Sequence, residues 1–248
     1  MLFSKNSIES VLCKFPKTYS KIRNFCGAED WGKQVFLQLI KPEWTVVEIG
    51  ANVGYYTSLF QKLVGPLGKV EAFEPLHTTF EILNDAISLF PANFQLYNLG
   101  ASDVSGKVEF HLPVNDHGQA TMTPHNSSTW KNREIKKVWG QVIQLDEFDP
   151  IQRLKTINFI KIDIEGAELL CLKGANSIIR KHKPLVFLEV CKAWMKSFGY
   201  DAKELNEFLI SLGYSNFRVV GRKLVKVQSL QDHLEDKEEE ASFNFLVS

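Results

Sequence analysis

The sequence lacks an excess of charge of either sign, clustered cysteines and long apolar runs, and each absence argues against a class of function. Lys plus Arg and Asp plus Glu number 29 each, so the whole chain is not biased toward nucleic acid or anionic membranes. No segment is long enough to span a bilayer, and the start has no continuous apolar signal region. We therefore expect a cytoplasmic protein whose partners include neither nucleic acid nor membrane. Its cysteines have no C-x-x-C spacing, which favours buried thiols over a zinc cluster or disulfide framework: Cys13, Cys26, Cys171 and Cys191.

Two phosphate-binding fingerprints are also missing. The stretch "VVEIGANVGYY" carries Gly50 and Gly54 as G-x-x-x-G, whereas a dinucleotide turn requires G-x-G-x-x-G. There is no G-x-x-x-x-G-K-[ST] segment either, which excludes a P-loop. The two glycines still predict a strand-to-helix turn, in which larger side chains would collide with a ligand approaching the backbone.

From Trp44 onward the chain alternates between short apolar strands and amphipathic helices. This alternation predicts an α/β domain over residues 43–248 with a parallel sheet and helices on both faces. Residues 1–42 are predicted to form a helical extension that acts as a lid or cap, its helix at 31–40 ending before Pro42. "GKVEFHLP" and "WGQVIQLDEF" alternate like half-exposed strands, and the Gly/Asn/Ser/Thr-rich segment 115–129 between them favours a substrate-facing loop.

Two acidic residues at predicted strand ends narrow the ligand class. Glu74 closes the strand "KVEAFEP" about 20 residues after the glycine turn, where a carboxylate can accept both hydroxyls of a ribose. Glu48 precedes the turn and is placed to meet a ligand ammonium, directly or through water. A ribose combined with an α-amino acid group indicates S-adenosylmethionine. For Glu74 alone, a solvated strand end is an equally good interpretation.

The sequence resembles the FkbM-type family of S-adenosylmethionine-dependent methyltransferases. The resemblance lies in "VVEIGANVGYYT", "VEAFEP", "NLGASDVSGKVEF", "INFIKIDIEGAELLCLKGA" and "PLVFLEV", in order over residues 44–190. It implies a Rossmann-like, doubly wound, mainly parallel seven-stranded sheet with the last strand, "FNFLVS", antiparallel. It also implies methylation of hydroxyl groups on sugars, glycolipids and natural products. The implied cofactor residues are Glu48, Gly50, Asn52, Gly54 and Thr57 in the first motif, Glu74 at the ribose, and Ala101, Ser102 and Asp103 near the adenine.

The block "FIKIDIEG" carries the candidate catalytic groups. Strand alternation places Lys161 and Asp163 on one face, at the sheet edge where open α/β sheets bind ligands. Asp163 is the first choice for the base that removes a hydroxyl proton during methyl transfer, and Glu165 and Glu189 are alternatives. A buried ion pair that only shapes the loop is the competing interpretation of Lys161 and Asp163, and helix capping is the competing one for Glu165 and Glu168.

Other groups are weaker candidates. A magnesium or calcium ion held by Asp163 and Glu189 is possible but not favoured. His111, His117 and His125 are alternative bases, although lone loop histidines are more often solvated. Tyr55, Tyr56 and Trp130 are placed either to stack on a sugar or to pack in the core.

The function predicted from the sequence is S-adenosylmethionine-dependent O-methylation of a hydroxyl on a sugar, glycan or natural-product metabolite. Two rivals remain: methylation of nitrogen or a carboxylate, and a catalytically inactive cofactor-binding partner subunit. Losing the Asp163 carboxylate would impair transfer to an alcohol severely and transfer to an amine only mildly. A partner subunit would bind the cofactor and methylate nothing. The sequence assigns neither the acceptor nor an oligomeric state.

Overall fold

The structure is a computed structural model that describes residues 30–87, 93–114, 117–124, 127–128, 130–221 and 223–248. Most of the predicted extension, together with Cys13, Cys26 and His125, lies outside the described residues. The helices are α1 (Trp31–Leu39), α2 (Tyr55–Val64), α3 (His77–Ile87), α4 (Asp149–Gln152), α5 (Glu168–Gly174), α6 (Asn176–His182), α7 (Lys192–Ser197), α8 (Ala202–Ser211) and α9 (Leu230–Leu234). The strands are β1 (Thr45–Ile49), β2 (Lys69–Phe73), β3 (Phe94–Tyr97), β4 (Gly100–Ala101), β5 (Gly106–Pro113), β6 (Ile135–Ile143), β7 (Phe159–Ile162), β8 (Leu185–Cys191), β9 (Phe217–Val220), β10 (Leu224–Val227) and β11 (Ser242–Val247).

A mixed central sheet runs in the order β10-β9-β11-β8-β7-β1-β2-β3. The pairs from β8 across to β3 are parallel, and β11 is inserted antiparallel between β8 and β9. This confirms the α/β class and the antiparallel last strand. The strand count of seven is wrong, because the described residues contribute eight strands to this sheet. The additional strand, β10, is a short, half-exposed edge hairpin partner of β9, so it lacks the apolar pattern of a buried strand.

The two faces of the sheet bury different side chains because successive residues of a strand point to opposite sides. Ile160 and Ile162 belong to the core under α5, α6 and α8, whereas Phe159 belongs to the core on the other face. Helix α1 is part of that second core. Its Phe36 is completely buried against the rings of Tyr56, Phe60, Phe159 and Phe187, so this described part of the predicted cap packs as a core helix.

A second, smaller sheet lies beside the carboxyl ends of the central strands. It consists of β4, β6 and β5, and β5 pairs antiparallel with residues 135–142 of β6. The two strands themselves are those that the alternating pattern predicts. Its apolar face buries Leu76, Phe110, Leu112 and Val142. The segment between β5 and β6 is not a plain loop: it contains a 3-10 turn at His117–Gln119, and Thr121 pairs with His111.

Within the described ranges, no helix has both the length and the apolar character needed to cross a membrane.

Candidate active site

A cleft opens where the carboxyl ends of β1, β2 and β7 meet the apolar face of the small sheet. It holds about 730 Å³ of space outside protein atoms, part of it open to solvent. The central sheet and its loops contribute Ile49, Gly50, Asn52, Glu74, Pro75, Asp163, Ile164, Glu165 and Ala167, while the small sheet and its connections contribute Gly100, Ala101, Phe110, Gly118, Ala120, Met122 and Val142.

The glycine turn after β1 is shaped by other parts of the protein. Gly50 and Gly54 both have positive φ, 80° and 84°. A Cβ on Gly50 would lie 2.0 Å from the carbonyl oxygen of Asp163, and one on Gly54 would lie 2.7 Å from Leu83 Cδ1. The space left by the glycines is therefore filled by the β7 loop and by α3, and it is this packing that brings the turn beside Asp163.

Glu74 lies at the end of β2 with its carboxylate in the cleft. Its Oε2 accepts a hydrogen bond from the Asn52 amide at 3.0 Å, and its Oε1 accepts one from the Leu76 amide at 2.9 Å. Burial raises the pKa of Glu74 to about 7 despite these two hydrogen bonds, which favour the ionised form. Glu74 thus fixes the glycine turn and presents lone pairs to the cleft.

Glu48 lies behind the cleft rather than in its lining. Its side chain is completely buried, and its Oε2 accepts a hydrogen bond from Thr57 Oγ1 at 2.7 Å. Burial raises the pKa of Glu48 to about 7, and the nearby Lys161 ammonium and the Thr57 hydroxyl oppose that rise. Glu48 and Thr57 form a buried pair under α2, and neither side chain lines the cleft.

Lys161 and Asp163 form the ion pair that strand alternation predicts. The ammonium Nζ lies 2.8 Å from Asp163 Oδ2, and the Lys161 side chain is 1% exposed while that of Asp163 is 29% exposed. Burial alone would raise the pKa of Asp163, but the Lys161 charge and hydrogen bonds from Glu189 and Lys161 outweigh it, so the pKa lies below its usual value. Asp163 is therefore an ionised carboxylate that reaches the cleft.

Glu189 meets this pair from β8 without lining the cleft itself. Burial, and then the negative charge of Asp163, raise the pKa of Glu189 well above its usual value, and Glu189 donates a hydrogen bond to Asp163 as a neutral acid. Among the described residues, no three His, Cys, Asp or Glu side chains are grouped to hold a metal ion. The positive charge beside Asp163 comes from Lys161.

The residues predicted near the adenine separate in the structure. Ala101 lines the cleft. Ser102 is buried, its hydroxyl 3.2 Å from Asp103, and its carbonyl oxygen would be 1.9 Å from a Cβ on Gly174 of α5. Neither Ser102 nor Asp103 lines the cleft.

The remaining candidates occupy different places. Glu165 lines the cleft, and its carbonyl oxygen accepts a hydrogen bond from Thr121 Oγ1 at 3.1 Å. His111 Nε2 lies 3.4 Å from Glu109 Oε1, away from the cleft lining. Tyr56 packs in the core with its hydroxyl donating to Asp30, and Trp130 is 6% exposed. These positions favour core packing for Tyr56 and Trp130. His111 lies in β5 with a side chain that is 13% exposed, so it is neither a cleft residue nor a solvated loop histidine.

The apolar side chains that form one wall of the cleft, called the apolar wall below, were not predicted from the sequence. Phe110, Ala120, Met122 and Val142 face the carboxylates of Glu74 and Asp163 across the cleft. The alternation of β5 and β6 predicts an apolar face, but the covering of that face depends on how the small sheet lies against the central one.

A family model described as "Methyltransferase FkbM domain" matches residues 48–215. The chain belongs to the FkbM family of methyltransferases. The match begins at Glu48 and runs beyond β8, so it includes Glu74, Lys161, Asp163 and Glu189. This confirms the resemblance drawn from the motifs.

Curated relatives of this FkbM methyltransferase are similar over part of their length. Methyltransferase sdnD of Sordaria araneosa is 27% identical over 177 residues, covering 61% of this chain and 67% of the relative. Methyltransferase 1 of Beauveria bassiana is 31% identical over 150 residues, covering 52% of this chain and 57% of the relative. Hexuronic acid methyltransferase AglP of Haloferax volcanii is 25% identical over 190 residues, covering 76% and 70%.

Solved structures share the fold. An FkbM methyltransferase from Methylobacillus flagellatus is 15% identical with a TM-score of 0.50, covering 96% of this chain and 60% of that one. A structure titled as a putative rRNA-methylase from Clostridium thermocellum is 10% identical with a TM-score of 0.51, covering 88% and 92%. At these identities the likeness shows the fold alone.

The cleft fits S-adenosylmethionine, the cofactor on which this FkbM methyltransferase depends. Glu74, buried with a carboxylate open to the cleft, matches the hydroxyl pair of a ribose. The small side chain of Ala101 and the apolar side chains of Phe110 and Val142 provide an apolar lining that suits an adenine. When bound, the cofactor supplies an electrophilic methyl group on a sulfonium.

Proposed function

We propose that this FkbM methyltransferase methylates a hydroxyl oxygen on a sugar, glycan or sugar-bearing metabolite. The observation that carries the proposal is Asp163, an ionised carboxylate 29% exposed to the cleft and held by a buried ammonium at 2.8 Å. A hydroxyl oxygen becomes strongly acidic as its new bond to carbon forms. A carboxylate of low pKa is therefore a sufficient proton acceptor once the hydroxyl is held against it.

The surroundings of Asp163 support a fixed proton acceptor. Lys161 binds one carboxylate oxygen and Glu189 donates a further hydrogen bond, so both groups orient Asp163 from behind. The name of the archaeal relative, a hexuronic acid methyltransferase, agrees with a sugar acceptor. It also motivates a second candidate, methylation of a carboxylate, which needs no base and would be repelled by Asp163.

The test uses p-nitrophenyl β-D-glucuronide, which offers hydroxyls and a carboxylate in one molecule, and p-nitrophenyl β-D-glucoside, which offers hydroxyls alone. Methylated products are found by mass spectrometry after incubation with S-adenosylmethionine, and mild alkali then removes a methyl ester but not a methyl ether. We expect an alkali-stable product. We expect Asp163→Asn to slow its formation by about 10²-fold or more, with affinity for S-adenosylhomocysteine within about threefold of wild type.

Asp149→Asn is the matched control, since Asp149 is an exposed carboxylate paired with Arg153 away from the cleft. It should leave the rate unchanged. An alkali-labile product would contradict hydroxyl methylation and favour the carboxylate acceptor, whereas full activity of Asp163→Asn on a hydroxyl would contradict the role of Asp163 as proton acceptor. Cofactor binding without any product would favour the inactive partner subunit.

A further inference from the structure

We propose that Glu168 and Tyr200 are positioning residues that hold the loop carrying Asp163 in its catalytic place. The kinetic test of this inference rests on the proposed function, whereas the hydrogen-exchange test depends only on the hydrogen bonds around the loop. The loop, residues 163–166, connects β7 to α5 and contributes Asp163, Ile164 and Glu165 to the cleft. Neither Glu168 nor Tyr200 lines that cleft.

The 163–166 loop has a backbone that requires support. Glu165 has φ of 56° and Gly166 has φ of 103°, and the left-handed region is unfavourable for a residue such as glutamate. A Cβ on Gly166 would lie 2.9 Å from Trp194 Cβ in α7. The loop is therefore pressed closely against α7, and its tight turn persists only if surrounding contacts hold it.

Glu168 holds the loop through two hydrogen bonds from the loop backbone. It is 1% exposed, and its Oε1 accepts hydrogen bonds from the amides of Ile164 and Gly166, each at 3.2 Å. These two amides flank Glu165, so one carboxyl oxygen spans the strained position. This contact satisfies buried donors that would otherwise cost free energy.

Tyr200, 34 residues after Gly166, completes the hydrogen-bond network formed by Glu168 and the loop. Its hydroxyl donates to the carbonyl oxygen of Gly166 at 2.8 Å and lies 3.3 Å from Glu168 Oε2. The Tyr200 hydroxyl is thus shared between the Gly166 carbonyl and Glu168 Oε2. Burial raises the pKa of Glu168 to about 7, and in the protonated form Glu168 donates to the Tyr200 oxygen while Tyr200 donates to Gly166. A glutamine at position 168 reproduces this pattern, because its carbonyl oxygen accepts from both amides and its NH₂ donates to Tyr200.

Because glutamine can make the same hydrogen bonds as glutamate at position 168 but carries no charge, comparing the two variants shows whether the loop needs the hydrogen bonds or the negative charge. We expect Glu168→Gln to keep kcat within about twofold of wild type, whereas Glu168→Ala should lower kcat by about tenfold or more, because a misplaced catalytic group slows the chemical step. Affinity for S-adenosylhomocysteine should change by less than about threefold, since Glu74 and the apolar wall are untouched. Tyr200→Phe keeps the two amide hydrogen bonds and should give an intermediate loss.

Two measurements test the proposal on the full chain. The first is amide hydrogen exchange of the peptide covering residues 163–167, which should be about tenfold faster or more in Glu168→Ala and near wild type in Glu168→Gln. The second is kcat and KM for p-nitrophenyl β-D-glucuronide. Tyr214→Phe is the matched control, because Tyr214 is also buried and donates to a carbonyl, that of Pro184, at 2.8 Å, far from the loop.

The outcomes are distinct. Faster exchange and lower kcat in Glu168→Ala, rescued in Glu168→Gln and absent in Tyr214→Phe, support positioning. Unchanged exchange in Glu168→Ala, or equal impairment by Gln and Ala, overturns it. If the wild-type protein methylates no hydroxyl of the probes, the proposed function fails, and the exchange experiment still decides whether Glu168 holds the loop. If Glu168→Ala does not fold, Tyr200→Phe against Tyr214→Phe makes the same comparison.

Discussion

Replacing Lys161 by methionine should destabilise the protein by an amount that depends strongly on pH. Methionine keeps the apolar stem of this completely buried side chain and removes its charge. Asp163, whose Oδ2 lies 2.8 Å from the ammonium, then loses its counter-ion while burial and Glu189 remain. The variant avoids an unpaired buried charge by protonating Asp163 in the folded state.

The free-energy cost of protonating Asp163 sets the size of the destabilisation. With an unfolded pKa near 3.9, protonating an aspartate costs about 4 kcal/mol at pH 7 and about 1.5 kcal/mol at pH 5, at about 1.36 kcal/mol per pH unit. In the wild type the pKa of Asp163 is lowered, so its contribution to stability is present above the unfolded pKa and is lost on acidification. In the variant the folded pKa is raised, so stability is lost as pH rises from about 4 toward that pKa. Because Asp163 is 29% exposed, residual hydration makes these figures upper limits.

Urea unfolding at pH 5 and pH 7 measures the effect. We expect a deficit of about 3 to 4 kcal/mol at pH 7 that shrinks to about 1.5 kcal/mol at pH 5. In an Asp163→Asn background the pH dependence should become smaller, and the remainder should come from Glu48, whose pKa the Lys161 charge also lowers. Arg153→Met removes one partner of an exposed pair with Asp149 and should cost less than about 0.5 kcal/mol at both pH values. An equal deficit at pH 5 and pH 7 would refute the idea that Lys161 serves to keep Asp163 ionised.

Two further predictions concern the cofactor cleft. Because burial raises the pKa of Glu74 to about 7 and ribose hydroxyls donate to the ionised form, calorimetric affinity for S-adenosylhomocysteine should fall by up to about tenfold from pH 8 to pH 6. Glu74→Gln should bind S-adenosylhomocysteine more weakly and with an affinity that does not change between pH 8 and pH 6. The same pH dependence in this variant as in the wild type would mean that a group other than Glu74 takes up the proton. Gly50→Ala, whose Cβ would lie 2.0 Å from the Asp163 carbonyl oxygen, should cost at least about 3 kcal/mol of stability. Gly199→Ala, with φ of 78° just after the end of α7 and nothing within 4 Å of the new Cβ, should cost about 1 kcal/mol; equal thermal shifts for the two variants would mean that only the dihedral angle matters.

Local sequence patterns determined much of the fold. Alternating strands and helices predict the α/β class because parallel strands buried on both faces are mainly apolar, as β1 is apart from Thr45 and Glu48. The two-residue period of "FIKID" places Lys161 and Asp163 on one face, which the 2.8 Å ion pair confirms. The glycine turn and Glu74 are likewise local signals, since each sits at a recognisable strand end.

Only the tertiary structure decided which of these groups reach the cleft. Glu48 and Glu74 both lie at the carboxyl-terminal ends of neighbouring strands, yet Glu48 is shut behind α2 while Glu74 lines the cleft. Glu189 joins Asp163 because β8 pairs with β7, a partnership set by strand order. Tyr200 contacts Gly166 from 34 residues away, and the apolar wall depends on how the small sheet docks. Such contacts depend on burial and register between distant segments, which the period of a single strand does not encode.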